Sequence, residues 1–470
     1  MFNLRVPLAA RDEVFLMNTL TDAQLVVSSD VAVLLDQIAS GEWHPGNGVA
    51  PETRDALDLL WENGFLVADK QSEQQALSDY LTGVKSDSTE LSVTVLTTLQ
   101  CNFACDYCYQ GDHGDYNERA DKMPLETAMR VGDWTERELD RVRPERFVLT
   151  FFGGEPLLNL PVMYLMAERA ARACEARGIR LVTNIITNGL LLTPEVVDRM
   201  LPFGLNGIKV TLDGDRDAHN RMRPLRGGQG TFDRIIENVS RVAGKCHIAI
   251  GGNFDEGTID SFPELLRFLK AQDFAEKLVK VNFKPIQRPE SVTPKGIIPL
   301  TPIGAKENLR GTCMTSVGSG AGKACDSCGG LEDKWTFVRE ETKRHGFSTN
   351  DGVPRGMCHV HRQHAHTIGP DGSLYACPGF TGQLAMSTGH IDDRKESWRE
   401  SALEKFARLH PWKECGDCAF IPTCAGGCVA ASHSQLGDMN LPTCHKVHFE
   451  SALVALAHEA ASKDAAPQAA

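Results

Sequence analysis

Leu91-Ser92-Val93-Thr94-Val95-Leu96-Thr97-Thr98-Leu99-Gln100-Cys101-Asn102-Phe103-Ala104-Cys105-Asp106-Tyr107-Cys108 is the stretch whose reading decides the fold. Its first part carries Leu91, Val93, Val95 and Leu96 with the period of a strand. Its second part spaces three cysteines as C-x3-C-x2-C, which places the thiols on the loop leaving that strand. Further strand-like runs follow at 147–152, 180–186, 207–212, 247–251 and 279–283, alternating with amphipathic helical patterns at 125–139, 160–176, 193–200, 231–242 and 261–271. Such alternation predicts a parallel sheet with right-handed crossovers. The repeat is too short for a closed eight-stranded barrel. The expected fold class is therefore α/β, a partial (β/α)6 barrel over residues 91–286 with its working face at the strand C-termini, where the cysteine loop emerges.

Either side of this repeat the pattern changes. Residues 1–80 give short strands at 2–6, 14–17 and 23–27, a helix over 31–38 capped by Ser29 or Asp30, a second helix over 51–60 and a closing turn and strand in Asn63-Gly64-Phe65-Leu66-Val67. That order predicts a winged-helix-like module, followed by a polar linker with a short helix. Residues 287–350 are broken by Pro, Gly and Ser and carry Cys313, Cys325 and Cys328, so a bridge or insertion is expected there. Residues 351–450 are turn-rich and dense in cysteine, as in a domain held by bound metal rather than by a large apolar core. The Ala-rich end, 451–470, is expected to fray.

The chain of 470 residues, 42% hydrophobic and 24% charged, is long enough for two or three domains. No apolar run is long enough to span a bilayer, and charges interrupt the opening residues where a secretory segment needs an unbroken apolar stretch. A cytoplasmic location with no membrane partner is expected. In that reducing compartment closely spaced cysteines are better read as metal or cluster ligands than as disulfides. A net charge of −13 argues against nucleic acid as a partner.

Seven further cysteines form a second pattern: Cys358, Gly372-x4-Cys377, Cys415-x2-Cys418-x5-Cys424-x3-Cys428 and Cys444. A structural zinc takes four protein ligands, whereas Cys101, Cys105 and Cys108 supply three; on a 4Fe–4S cluster three thiolates leave one iron open to a small molecule. In this setting the C-x3-C-x2-C loop resembles that of the radical S-adenosylmethionine (SAM) enzymes. Tyr107 holds the aromatic position that in this family packs on the adenine. Gly153-Gly154-Glu155-Pro156, ending the second strand, is similar to the family's GGEP motif, whose glycines admit close approach and whose backbone and carboxylate hold the SAM amino group. Thr187 and Asn188, ending the third strand, are read as SAM contacts or as a plain Asn-Gly turn. The string from Thr211 through Asp213, His219, Arg221 and Arg223 to Phe232 resembles a segment of the subgroup that carries a C-terminal SPASM domain. Asp213 and Arg221 either touch SAM or substrate or serve as a cap or ion pair.

The second cysteine pattern matches SPASM spacing. The resemblance implies one auxiliary 4Fe–4S cluster on Cys415, Cys418, Cys424 and Cys444, and another on Cys358, Cys377 and Cys428. The fourth ligand of the latter is open among His359, His361, a bridge cysteine and the substrate. The run His359 to His366 is otherwise a packed or solvated strand. Cys313, Cys325 and Cys328 lean toward metal, as a further cluster or a ligand reservoir, or are free thiols. Cys174 and Cys246 read as ordinary core or surface residues.

The resemblance implies an oxidoreductase in which a reduced cluster cleaves SAM to a 5′-deoxyadenosyl radical that takes hydrogen from a peptide or protein. The expected product is a thioether or other cross-link, and flavodoxin or ferredoxin is the expected reductant. The module over 1–80 resembles small domains that bind leader peptides as an added strand, with a stabilising cap as the plain alternative. Sulfatase maturation is disfavoured, because Pro378 stands where those enzymes carry an Asp after the G-x4-C cysteine. Other readings are a non-catalytic iron–sulfur electron-transfer or scaffold protein, a zinc-dependent binding module, and a radical SAM small-molecule dehydrogenase or epimerase.

Overall fold

A computed structural model describes residues 1–8, 11–43, 50–108, 121–286, 329–349, 352–353, 355–393, 400–444 and 446–464. Cys313, Cys325 and Cys328 lie outside these residues.

The chain opens with an antiparallel sheet of β1 (Asn3–Leu8), β2 (Glu13–Asn18) and β3 (Gln24–Ser28), in that spatial order, followed by α1 (Ser29–Ser40), α2 (Pro51–Glu62) and α3 (Lys70–Ser86). Of the turn and strand expected at 63–67 the turn is present and the strand does not form. Gly64 turns the chain at φ +79°, and the side-chain amides of Asn18 and Asn3 donate to the Gly64 and Phe65 carbonyls at 2.8 and 2.7 Å. Phe65 then packs with Leu16, Leu35 and Leu60. Backbone groups that a wing would pair in a ladder are thus satisfied by side chains. α3, capped by Asp69 accepting from the Ser72 amide, is far longer than the short linker helix expected.

From β4 (Glu90–Leu96) the chain alternates through α4 (Leu125–Val142), β5 (Arg146–Phe152), α5 (Leu160–Glu175), β6 (Arg180–Thr187), α6 (Pro194–Met200), β7 (Leu205–Thr211), α7 (Arg216–Met222), α8 (Phe232–Val242), β8 (His247–Phe254), α9 (Phe262–Lys270) and β9 (Leu278–Pro285). The six strands pair in parallel and in sequence order. Phe147, Leu149, Phe151, Ile208, Val210, Ile248, Ile250, Val281 and Phe283 turn one sheet face into a core shared with the helices. The other face carries Thr94, Thr150, Asn184, Lys209, Asn253 and Asn282, so its strands alternate apolar and polar.

The sheet extends beyond that repeat. After α10 (Gly329–Arg344) come β10 (Ala365–Ile368), parallel to β4, and the antiparallel β11 (Ser373–Tyr375) and β12 (Gly389–His390). The nine-stranded sheet ends at β12 and β9 and is not closed. The cysteine-rich segment, expected to have little regular structure, therefore adds strands to the main sheet, because strands of two to four residues are too short to reveal a period. Trp335 of α10 donates to the Phe283 carbonyl at 2.9 Å, so part of the 287–350 bridge is a helix docked on β9. α11 (Glu400–Ala407), α12 (Ile421–Cys424), α13 (Val429–Leu436) and α14 (Lys446–Asp464) complete the chain. The tail expected to fray from 451 is helical through Asp464, since Ala452, Leu453 and Ala457 pack against Leu4, Val6 and Phe15 of the N-terminal sheet.

Candidate functional site

Four loops at the C-terminal ends of β4, β5, β6 and β7 meet around the first three cysteines. Cys101, Cys105 and Cys108 are half-buried. Burial first, with Glu155 next, pushes the Cys101 thiol up to about 11; burial pushes Cys105 up to about 12. A cationic group joining them must displace their protons.

Gly153 and Gly154 hold the second loop against the first. A Cβ on Gly153, which has φ +130°, would lie 2.3 Å from the Thr98 carbonyl oxygen, and one on Gly154 2.1 Å from that of Gln100. The Gly154 and Glu155 amides donate to these carbonyls at 2.9 and 2.7 Å. The glycines are thus fitted to the chain's own backbone. Glu155 is fully buried and accepts from the Thr187 hydroxyl at 2.7 Å, the Asn188 amide at 2.8 Å and the Leu157 amide at 3.0 Å. Burial raises its pKa and these donors oppose the rise. Pro156 begins the turn that follows. Thr187 therefore holds Glu155, while the Asn188 side chain donates to Asn102 Oδ1 at 2.7 Å and lies 3.8 Å from Cys101 Sγ.

A second constellation lies beyond Cys105. Tyr107 donates to Asp213, Arg223 donates to the Tyr107 hydroxyl oxygen, and Asn253 Nδ2 donates to it at 3.2 Å. Asp213, fully buried, pairs with Arg223 at 3.4 Å and accepts from the Asn253 amide at 2.7 Å. Burial, with Asp213 and Cys105 adding to it, holds the Tyr107 phenol well above its ordinary pKa. Arg221 does not join. α7 turns Ala218, His219 and Met222 inward, which leaves Arg221 exposed and delivers Arg223 to the site. His219 Nδ1 accepts from the Asp213 amide at 3.2 Å, and its Nε2 lies 3.0 Å from Thr231 Oγ1, which donates to the Arg223 carbonyl at 2.9 Å. The string from His219 to Phe232 is mainly scaffold for Asp213 and Arg223. Asn253 carries no motif; only its place at the end of a strand could have drawn attention to it.

The remaining cysteines fall into two neighbourhoods. Burial first, and then Cys358 and Cys428, push Cys377 up to about 12. Burial, then Cys424, Cys418 and Cys444, push Cys415 up to about 12. Cys377 thus has Cys358 and Cys428 as neighbours, and Cys415 has Cys418, Cys424 and Cys444. His361 lies against Trp412, and neither ring nitrogen has a hydrogen-bond partner among the described residues. Among the described residues no three His, Cys, Asp or Glu side chains converge as the ligands of a single ion would. A lone zinc draws its sulfurs to about 2.3 Å of one centre, whereas a 4Fe–4S cluster gives each thiolate its own iron.

Residues 95–269, which span these loops, match the Radical SAM superfamily. The chain carries a radical SAM domain. It is an enzyme of that type, and the superfamily implies SAM and a 4Fe–4S cluster. Outside the domain, the C-terminal cysteine spacing fits SPASM. The chain is 34% identical over 148 residues to GTP 3',8-cyclase of Synechococcus sp. (strain WH7803), covering 30% of this chain but only 39% of the cyclase. It is 24% identical over 383 residues to mycofactocin maturase MftC of Mycobacterium tuberculosis, covering 77% of this chain and 84% of the maturase. In fold it is similar to native anSMEcpe with bound AdoMet, with a TM-score of 0.57, 19% identity, and coverage of 79% of this chain and 99% of that one. Streptococcus suis SuiB bound to S-adenosylmethionine gives 0.50 at 14% identity, over 93% of this chain and 96% of that one. No helix among the described residues is long and apolar enough to cross a membrane.

Proposed function

We propose that this radical SAM enzyme takes a hydrogen atom from a peptide or protein and thereby installs a thioether or other cross-link. The observation that carries the reading is the meeting of the three-thiol loop, the Glu155 turn and the Tyr107–Asp213–Arg223–Asn253 constellation at the ends of adjacent parallel strands. Similarity to a peptide maturase over most of both chains supports a peptide substrate. Cys101, Cys105 and Cys108 would hold the cluster at which SAM binds, and that cluster, once reduced, would give SAM the one electron that cleaves it to methionine and a 5′-deoxyadenosyl radical. The chain's own part is to orient and to exclude water. Glu155, its oxygens already engaged, fixes the β5 and β6 loops against each other. Arg223 and Asp213 fix Tyr107 beside Cys105 and Cys108. Thr187, Asn188, Gly153, Gly154 and Pro156 shape the same wall, and Arg221 is left out of it.

Cys415, Cys418, Cys424 and Cys444 are proposed to hold one auxiliary cluster, and Cys358, Cys377 and Cys428 a second; these would accept the electron left on the substrate. Residues 1–80 are proposed to receive a leader peptide along β3, the edge strand opposite β1. Flavodoxin or ferredoxin in the cytoplasm would supply the electron. Anaerobic reconstitution followed by iron counting and SAM cleavage tests the whole. About twelve irons are expected, with 5′-deoxyadenosine formed. The Cys101/Cys105/Cys108 triple Ala variant should hold about eight and form none. Zinc without iron, or iron without SAM cleavage, would sink the proposal.

A further inference from the structure

Asn188 does more at the cysteine loop than its place in an Asn-Gly turn requires. Its Oδ1 accepts from the Leu190 amide at 3.0 Å, closing a turn over Gly189, which sits at φ +83°. An Asp would close the same turn, so what the amide adds is an NH2 group with two hydrogens to give. Nδ2 donates to Asn102 Oδ1 at 2.7 Å and to Cys101 Sγ at 3.8 Å, the longer contact being to the larger atom. Both partners are clamped. Asn188 is buried, and its backbone amide donates to Glu155 Oε2 at 2.8 Å. On the opposite side the Arg226 amide donates to the Asn102 carbonyl at 3.2 Å, and Phe103 is bridged to Leu225. The Phe103 amide donates to the same sulfur at 3.4 Å. Among the described residues Cys101 is the one thiol of the three given such donors. Its sulfur and Asn102 Oδ1 lie 3.8 Å apart. A protonated thiol can donate across that gap, but a thiolate bound to iron cannot. Iron therefore sets two acceptors face to face, and the Asn188 amide donates to both.

We infer that Asn188 tunes the reduction potential of the cluster on Cys101, Cys105 and Cys108 by donating to the Cys101 sulfur. This rests on the radical SAM reading above. Reduction adds one electron, from dithionite in vitro or from a flavodoxin- or ferredoxin-type donor, and the added negative charge is shared with the thiolates. A hydrogen bond to one of those sulfurs favours the reduced form and raises the midpoint potential. Asn188 is thus a positioning residue that acts through Cys101, and the Glu155 carboxylate that holds its backbone supports the same contact.

The test is a redox titration followed by electron paramagnetic resonance, on the anaerobic, cluster-reconstituted full chain without SAM. The signal that changes when SAM is then added identifies the first cluster, and the auxiliary clusters serve as an internal reference. Asn188→Ala should move the first midpoint to lower potential and leave the auxiliary midpoints where they are. At the wild-type midpoint its ratio of reduced to oxidised cluster should fall by about tenfold, which for a one-electron couple is about 59 mV. Asn188→Asp keeps the turn and the side-chain volume but loses the donor, so it should lower the midpoint at least as far; it also serves if the Ala variant does not fold. An unchanged or raised midpoint in these variants, an equal shift of the auxiliary clusters, or loss of the first cluster from both variants overturns the tuning role. A fall in SAM affinity with no change in midpoint would make Asn188 a SAM contact and overturn it too. A wild-type chain whose signals ignore SAM would count against the radical SAM reading itself, which separates that failure from an unmoved midpoint.

Discussion

The loop of Cys101, Cys105 and Cys108 leaves a strand sunk in the broad apolar core of β4–β9 and their helices. By contrast, Cys415, Cys418 and Cys424 have around them Trp412, Phe420, Ile421 and side chains borrowed from the N-terminal module, among them Phe2, Phe15 and Leu81. Tyr80 donates to the Pro422 carbonyl at 3.2 Å, and Lys70 pairs with Asp417 at 2.7 Å across the same seam. Burial of apolar surface, worth about 25 cal/mol per Å², can form the first region before any cluster arrives. The second has too small a core of its own and must draw on bound metal and on its neighbour.

The largest effect should come from breaking that asymmetry. Cys415→Ser/Cys418→Ser should abolish amide-exchange protection over 411–444 and weaken it in α3 and β1–β2, while β4–β9 keep theirs. The Cys101/Cys105/Cys108 triple Ala variant should lose iron yet change protection little beyond its own loop. Equal loss everywhere in both variants would mean that the two regions fold as one unit. Next in size is Arg223→Met, which leaves Asp213 buried without its counter-charge. It should lower sheet-domain stability in urea by about 3–5 kcal/mol and weaken SAM binding with it.

How legible each region was follows from the same contrast. Phe147, Leu149 and Phe151 announce β5 because a strand buried on one face must alternate, and the C-x3-C-x2-C spacing needs no partner elsewhere in the chain to be seen. The strand read over His359 to His366 reaches only the first two residues of β10, and the rest of β10–β12 was hidden because Ala365–Ile368 is stabilised by pairing with β4 across a long sequence gap. The residues 63–67 read as a strand by composition, but long-range hydrogen bonds from Asn3 and Asn18 claimed their carbonyls. α14 escaped notice because small alanines on its packed face give little amphipathic contrast. Arg223 was visible in its motif, but choosing it over Arg221 required knowing where α7 ends. Asn253 had no signal.

A smaller effect should appear with acid on the seam between β10 and α4. Burial holds His366 down to about 4, with Arg141 and His364 acting the same way and Glu138 opposing them; its ring meets Trp134 edge-on, and Nε2 has no partner among the described residues. The folded state favours the neutral ring. Its contribution is therefore full above the unfolded pKa of about 6.5 and is lost as pH falls from there toward 4. His366→Gln should flatten the stability profile over that interval, as read by thermal melts at a series of pH values. An unchanged slope would assign the acid response to other groups.

The smallest effect is the sharpest on the SAM site itself. Arg221 and Arg223 are two residues apart in one motif-like string, yet the turn of α7 sends the first to solvent and the second to Asp213 and Tyr107. If contact rather than membership of the string decides function, Arg221→Ala should shift stability by less than about 0.5 kcal/mol and leave SAM affinity where it was. The measurement is SAM binding by isothermal titration beside Arg223→Met, both on the iron-loaded enzyme. Should Arg221→Ala weaken SAM as much as Arg223→Met does, α7 would have to rotate when SAM binds, and the scaffold role given to His219 would fall with it, because His219 rides on the same helix.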